Sequence, residues 1–284
     1  MPVVLGFLAA AFWGAADFLG GWASKRALAA SVVVVSGGSG LVLALLLVAL
    51  DPADPSRRDL LLGLGAGVVG TTGVILLFAG LAVARMGLVA PVSALVAAVL
   101  PVGWGVARGE RPSALAISGI VLAIMAVVLI TREPARAEGD VPLDDTAARK
   151  GLLYGALAGI GFGFIFIFFA EVDASSGMWP LVSARAVTVP LLALGLAVTG
   201  RTVVPRGGGS FKAAVGSGVL DLTANAFFVV AAQEGLTSVV SPVASLYPAG
   251  TVLLAGIVLG ERLQRHQLAG VGLALVGLVL LGAG

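Results

Sequence analysis

The chain has no cysteine and a single histidine, His266. Disulfides, thiolate nucleophiles and Cys-ligated metals are therefore excluded, and a His-based metal site within one chain is not expected. Charge is almost as scarce. Asp, Glu, Lys and Arg make up 11% of the residues, less than half of the ~25% usual for a soluble domain. The basic residues behind the net charge of +2 fall in connecting segments rather than along a groove, so no nucleic-acid partner is expected. What remains is apolar: 59% of 284 residues are hydrophobic and the mean hydropathy is +1.09. A soluble protein of this length could not bury that much apolar surface. No positive n-region or A-x-A cleavage pattern accompanies the first apolar run, which is read as a retained membrane helix.

Apolar runs long enough to cross a ~30 Å hydrocarbon core need about 20 residues. They fall at 3–22, 30–50, 60–83, 88–107, 114–131, 150–170, 179–200, 211–233, 237–259 and 267–283. The expected fold is thus an all-α integral membrane protein of ten spanning helices. The polar stretch 132–149 (REPARAEGDVPLDDTAARK with its last residue) divides it into two sets of five, 1–131 and 150–284, and has the composition of a surface linker.

A division at the midpoint invites a search for a repeat. Residues 80–130 set against 231–281 without gaps align Pro91 with Pro242, Gly109-Glu110-Arg111 with Gly260-Glu261-Arg262, and Gly119 with Gly270. An odd number of helices per half makes the second copy enter the membrane from the opposite side. Inverted repeats of this kind place a substrate site near the bilayer midplane, around a central cavity.

These residues, with Trp13-Gly14 in the first helix and Tyr247-Pro248 in the ninth, carry a resemblance. The sequence resembles the drug/metabolite transporter superfamily, in particular its ten-helix EamA-type members. That resemblance implies two inverted five-helix halves around a cavity that moves small metabolites, amino acids or drugs by alternating access. It also implies a multi-pass protein of the plasma or inner membrane. One departure stands out. Many members carry an Arg in the second helix, where this chain has Ser31, Ser36 and Ser39; the counterpart in the seventh helix, Arg185, is present.

Inside the spans, the clear ionisable residues are Asp17, Arg185 and Asp221. A charge at a helix centre costs about 2.5–3.5 kcal/mol on insertion scales and should face protein or water with a partner. At ~1.5 Å per residue, Asp17 lies roughly 21 Å from the face where the first helix begins and Arg185 roughly 9 Å, with Asp221 near the midplane between them. Arg185 is therefore expected to pair with Asp221, leaving Asp17 the less compensated carboxylate. Three roles stand open for Asp17: proton coupling, a structural hydrogen bond, or binding an amine-bearing substrate. Trp13, Asp17, Gly20 and Ser24 share one helical face, as do Asp221, Asn225 and Phe228. Asn225 can both donate and accept, which suits a carboxylate or an amino-acid-like ligand. Thr71 and Thr72 in the third helix are candidates for the same space. In the sixth helix Phe162, Phe166 and Phe169 share one face and Phe164 and Phe168 another; aromatic stacking or cation binding on ring faces competes with lipid contact and packing. Gly155, Gly159 and Gly163, and Gly63, Gly67 and Gly70, read as ridges for close helix packing. Glu110 and Glu261 are read as structural or conformational, and Pro91, Pro101, Pro190, Pro242 and Pro248 as sites of kinks.

The expected site is accordingly Asp17, Trp13, Arg185, Asp221, Asn225, Phe162, Phe166 and Thr71, with no cofactor, no metal and no catalytic role. The partners expected are a small-molecule substrate, the lipid bilayer and, under the coupling hypothesis, protons. A fused duplicate suffices as a monomer and is compatible with a dimer. The leading function is secondary active transport, most simply export, of amino acids or drug-like metabolites. A lipid-headgroup or lipid-linked sugar carrier is the alternative. A membrane-embedded enzyme ranks lower, because no span pairs carboxylates at metal-binding spacing. Of the 17 Lys and Arg, twelve fall where the odd-numbered helices end, four at the opposite face, and Arg185 lies within a span. The positive-inside rule would then put both termini outside, whereas the resemblance implies cytoplasmic termini.

Overall fold

The computed structural model describes residues 1–24, 26–50, 52–84, 86–131, 145–205, 207–259 and 264–283. Among these, every regular element is helical: α1 Pro2–Ser24, α2 Ala29–Leu50, α3 Arg57–Val83, α4 Met86–Ala107, α5 Ala114–Thr131, α6 Asp145–Ala170, α7 Trp179–Val198, α8 Gly208–Glu234, α9 Thr237–Ala244, α10 Tyr247–Leu259 and α11 Arg265–Ala283, with a single 3-10 turn at Ala174–Ser176. Nine stretches of the described residues are long and apolar enough to cross a membrane, α9 and α10 counting together as one, and Val92–Ala107 of α4 is a shorter apolar helix. Exposed apolar side chains such as Leu46, Leu194 and Val279 cover the outside of the bundle. That surface suits lipid rather than water.

The ends of the helices follow local chemistry. Ser56 caps α3 by accepting from the backbone N–H of Asp59 at 3.1 Å. At the end of α4, Gly109 takes φ +93°, the Gly109 N–H donates to Val106 O at 3.0 Å and the Glu110 N–H to Gly105 O at 3.0 Å. This paired closure uses the left-handed region that only glycine enters freely. In the 3-10 turn the Ser175 N–H donates to Asp173 Oδ1 at 2.9 Å, and hydrogen bonding from Ser175 holds the Asp173 carboxyl below the usual carboxylate range.

Two expectations need correction. The ninth span is not one helix: α9 stops at Ala244 and α10 starts at Tyr247. Pro248 cannot donate to the carbonyl of Ala244 and its ring crowds that group, so the helix breaks there. Pro101, Pro190 and Pro242 lie inside α4, α7 and α9. The sequence 132–149 is not all linker, because α6 begins at Asp145. Residues 132–144 and the second Gly-Glu-Arg copy, with Glu261, lie outside the described residues, and so does the side chain of Pro91.

The main helix partners lie across the chain's midpoint. α1 packs along α8, and α3 along α6. α2 lies against α7 and α8, and α7 against α2 and α3. α4 sits on α6, α9 and α10 sit on α1, and α5 packs on α11. Exchanging α1–α5 with α6, α7, α8, the α9–α10 pair and α11 maps this pattern onto itself. Glycine permits the closest approaches. On α6, Gly155, Gly159 and Gly163 lie against Val89 O, Ser93 O and Leu100 of α4, where a Cβ would be 2.5–2.9 Å from its nearest neighbour. On α3, Gly63 and Gly67 lie on the carbonyls of Pro180 and Ala184 of α7. Both ridges are packing surfaces.

Glu110 illustrates how the termini end of the bundle is tied together. Its carboxylate oxygens accept from the Thr237 N–H and the Ser238 N–H, both at 2.8 Å. These are the first two residues of α9, whose own N-cap, Leu236, makes no side-chain cap. A carboxylate just beyond α4 thus caps a helix of the other half, where the helix dipole also favours negative charge. Glu110→Ala leaves two donors without partners and is expected to lower stability by about 1–2 kcal/mol. The check is thermal unfolding of the purified protein in detergent or lipid nanodiscs, with Glu110→Gln falling between the two.

Candidate functional site: a central cavity

A cavity of about 580 Å³ lies between α1, α2, α3, α6, α7 and α8. Helical periodicity builds its walls. α1 contributes Trp13, Asp17, Gly20 and Ser24; α8 contributes Ser217, Asp221 and Asn225; α7 contributes Arg185 and Thr188; α6 contributes Phe162, Phe166 and Phe169; α3 contributes Thr71; and Tyr247 enters from the start of α10. All eight residues singled out from the sequence line this one space. Its deep end is at Phe169 and Leu181. It extends to Ser24 and Ala29, where α1 stops and α2 starts, at the end opposite the termini.

Arg185 donates from Nη2 to Oδ2 of Asp221, a direct salt bridge between α7 and α8. Asn225, one turn along α8, donates from Nδ2 to the backbone oxygen of Asp221 at 2.6 Å and to Asp221 Oδ2 at 3.3 Å. Its donor is therefore engaged on Asp221 rather than left open for a ligand. Thr71 is 2% exposed; its hydroxyl is used on Gly67 O at 2.8 Å and Thr188 Oγ1 at 3.2 Å, so it ties α3 to α7. Thr72 is exposed, bonds its own backbone at Val68 O, and does not line the cavity. Asp17 differs from the other charges. Its side chain is exposed to the cavity, and it makes no hydrogen bond or ion pair with any described residue.

Aromatic rings close the space around Asp17. Trp13 lies one turn before it and meets Phe166 edge-on at 5.7 Å between centroids, Phe228 at 5.9 Å and Tyr247 at 6.4 Å. Phe166 and Phe228 are 5.0 Å apart. Phe228 shares the helical face of Asp221 and Asn225, yet it is fully buried behind Trp13 and Phe166 and does not line the cavity. Of the two Phe faces on α6, one lines the cavity; on the other, Phe164 and Phe168 pack on each other at 5.7 Å, with Phe168 lying over Gly65 of α3. Sequence reasoning missed Tyr247 as a wall residue. The Tyr-Pro pair and a kink at Pro248 were visible, but not that Tyr247 would face the cavity.

Beyond the aromatic rings, the termini end is held by a polar network. Glu171, just after α6, accepts from Trp104 Nε1 at 3.0 Å and pairs with Arg58 at 3.1 Å and Arg108 at 3.5 Å. The fully buried Asp59 accepts from Ser176 Oγ at 2.6 Å and pairs with Arg58 at 3.3 Å. These bonds join the start of α3 to the ends of α4 and α6 and to the 3-10 turn.

Apolar spans around a cavity that holds Asp17, Arg185 and Asp221 and reaches one end of the bundle define the class: a multi-pass helical membrane protein built for passage of a solute. The EamA-like transporter family model matches residues 1–132 and 149–283, and the chain belongs to that family. It is thus a membrane transporter of the drug/metabolite transporter superfamily, consistent with the plasma-membrane placement expected from its sequence. Of 29 solved chains that match, one crystal structure shares the fold over 98% of this chain and 95% of its own, with a TM-score of 0.77 at 16% identity. That likeness shows the fold alone. No curated protein matches the chain.

Proposed function

We propose that this protein is a secondary active transporter that exports small organic metabolites, such as amino acids or drug-like compounds, by alternating access, driven by a proton gradient or by exchange. One observation carries the reading. The cavity runs from Phe169 and Leu181, near the termini-side ends of α6 and α7, to Ser24 and Ala29 at the opposite end, while the termini end is tied by the aromatic rings, the Glu171 network and the Glu110 cap. A transporter needs one such state and its mirror. The exchange of helix partners between the two halves supports an inverted relation between them, so the same contacts with the halves swapped would give the other state.

The test is uptake into proteoliposomes holding the purified chain, against empty liposomes, with a panel of radiolabelled amino acids, amines and neutral metabolites. The expected result is saturable uptake or counterflow of at least one panel member, tenfold or more above the empty control. Diffusive entry of every solute at the same rate as in empty liposomes would contradict the reading. A second prediction uses the closed end. Glu171→Gln weakens the pairs with Arg58 and Arg108 while leaving a side-chain oxygen to accept from Trp104 Nε1–H. These pairs are solvent-exposed on the Arg side, so the stability cost is expected to stay below about 1 kcal/mol. Accessibility at that end should rise, read as faster labelling of a cysteine placed at Ala170 in this cysteine-free chain.

A further inference from the structure

We infer that the cavity takes a monovalent organic cation, an amine or quaternary ammonium with an apolar or aromatic body, whose charged nitrogen sits between the Asp17 carboxylate and the rings of Trp13 and Tyr247. This rests on the transporter reading and narrows its substrate. The argument is a charge balance. Among the described residues, the charged side chains lining the cavity are Asp17, Arg185 and Asp221. Arg185 and Asp221 neutralise each other in a direct salt bridge, and the Asn225 amide donates to the same carboxylate. One carboxyl group remains, that of Asp17, with no hydrogen-bond or ion-pair partner among the described residues. The α2 wall adds no compensating cation, since Ser36 and Gly37 stand there.

The surroundings of Asp17 select among ligands. An anion would meet an uncompensated carboxylate. A zwitterion would need its carboxylate met by Arg185, which Asp221 already holds. A cation meets both a carboxylate and aromatic rings, whose faces attract positive charge. Trp13 is held by Phe166, Phe228 and Tyr247, so the ring is positioned before the ligand arrives. The rest of the lining is mainly apolar side chains and glycine, and a cavity of about 580 Å³ lies within the size range of small-molecule sites.

The test is isothermal titration calorimetry on the full chain in nanodiscs with five probes of one shape: phenethylamine, its N,N,N-trimethyl derivative, the neutral tert-butyl isostere of that ion, phenylalanine, and 3-phenylpropionate. The expected order places the two cations at least about tenfold tighter than the neutral isostere, with phenylalanine and phenylpropionate weaker still. Asp17→Asn should erase the advantage of the cations over the isostere, and Asp17→Glu should keep it. Unfolding temperatures of both variants establish that they are folded; if Asp17→Asn does not fold, the wild-type order and Asp17→Glu decide. Tighter binding of phenylalanine or phenylpropionate, equal binding of the cation and its isostere, or no binding of any probe would overturn the inference. The outcomes separate from those of the transporter reading. Uptake of neutral or zwitterionic solutes without cation binding sinks the cation site and leaves transport standing. Cation binding with no uptake of any solute does the reverse.

Discussion

Asp17→Asn is expected to cut gradient-driven transport about tenfold to a hundredfold while leaving the protein folded. The substitution keeps the shape of the side chain and removes its charge. Asp17 has no hydrogen-bonded or ionic partner among the described residues, so no group is orphaned when the charge goes. Its unfolding temperature should therefore stay within a few degrees of wild type. Function should respond differently. Interactions of a charged group in a partly dry site contribute about 1.5–3 kcal/mol, and each 1.4 kcal/mol is a factor of ten. Initial rates of uptake driven by an imposed proton gradient should fall by about tenfold to a hundredfold. If Asp17 carries the coupled proton, exchange without a gradient survives in the variant. Equal rates in variant and wild type under both conditions would show Asp17 to be structural and turn attention to Asp221 and Arg185.

Arg185→Met is expected to cost the most stability of any change in the site. It leaves the Asp221 carboxyl between α7 and α8 without its cation, with only Asn225 as a partner. Breaking a fully buried pair by removing one member costs about 3–5 kcal/mol. Here the two side chains remain 20% and 28% exposed, so cavity water offsets part of the loss and about 2 kcal/mol is expected. The decisive experiment is a double-mutant cycle. Asp221→Asn in the Arg185→Met background removes the stranded charge, and most of the lost stability should return. A double variant as unstable as the sum of the two single variants would show that the pair is not energetically coupled. Transport should not return with stability, because Arg185 and Asp221 both line the cavity.

These two predictions concern residues that were visible in the sequence for the same reason. In a hydrocarbon setting a charge is conspicuous, and Asp17, Arg185 and Asp221 stand well inside apolar runs, whereas Lys150 and Lys212 sit at run edges. Depth along each helix, counted from its start, was enough to pair Arg185 with Asp221 and leave Asp17 apart. The cases of Asn225, Thr71 and Phe228 were different. Periodicity placed each on a face with its neighbours, but whether a polar atom points at a ligand or a neighbouring helix depends on what packs opposite. Asn225 turns its donor to Asp221, Thr71 reaches Thr188, and Phe228 sits behind Trp13.

The apolar spans and the three intramembrane charges could be read from single segments, because membrane insertion imposes a length and a charge cost that each segment meets alone. Tertiary structure decided the rest. It set which helices face each other across the midpoint, with α1 on α8 and α3 on α6. It set the reach of Glu110 to the first turn of α9, and the break that brings Tyr247 to Trp13. Such contacts join residues more than a hundred positions apart. No local pattern encodes them, and they arise only when complementary surfaces, glycine against carbonyl and ring against ring, find each other in the packed bundle.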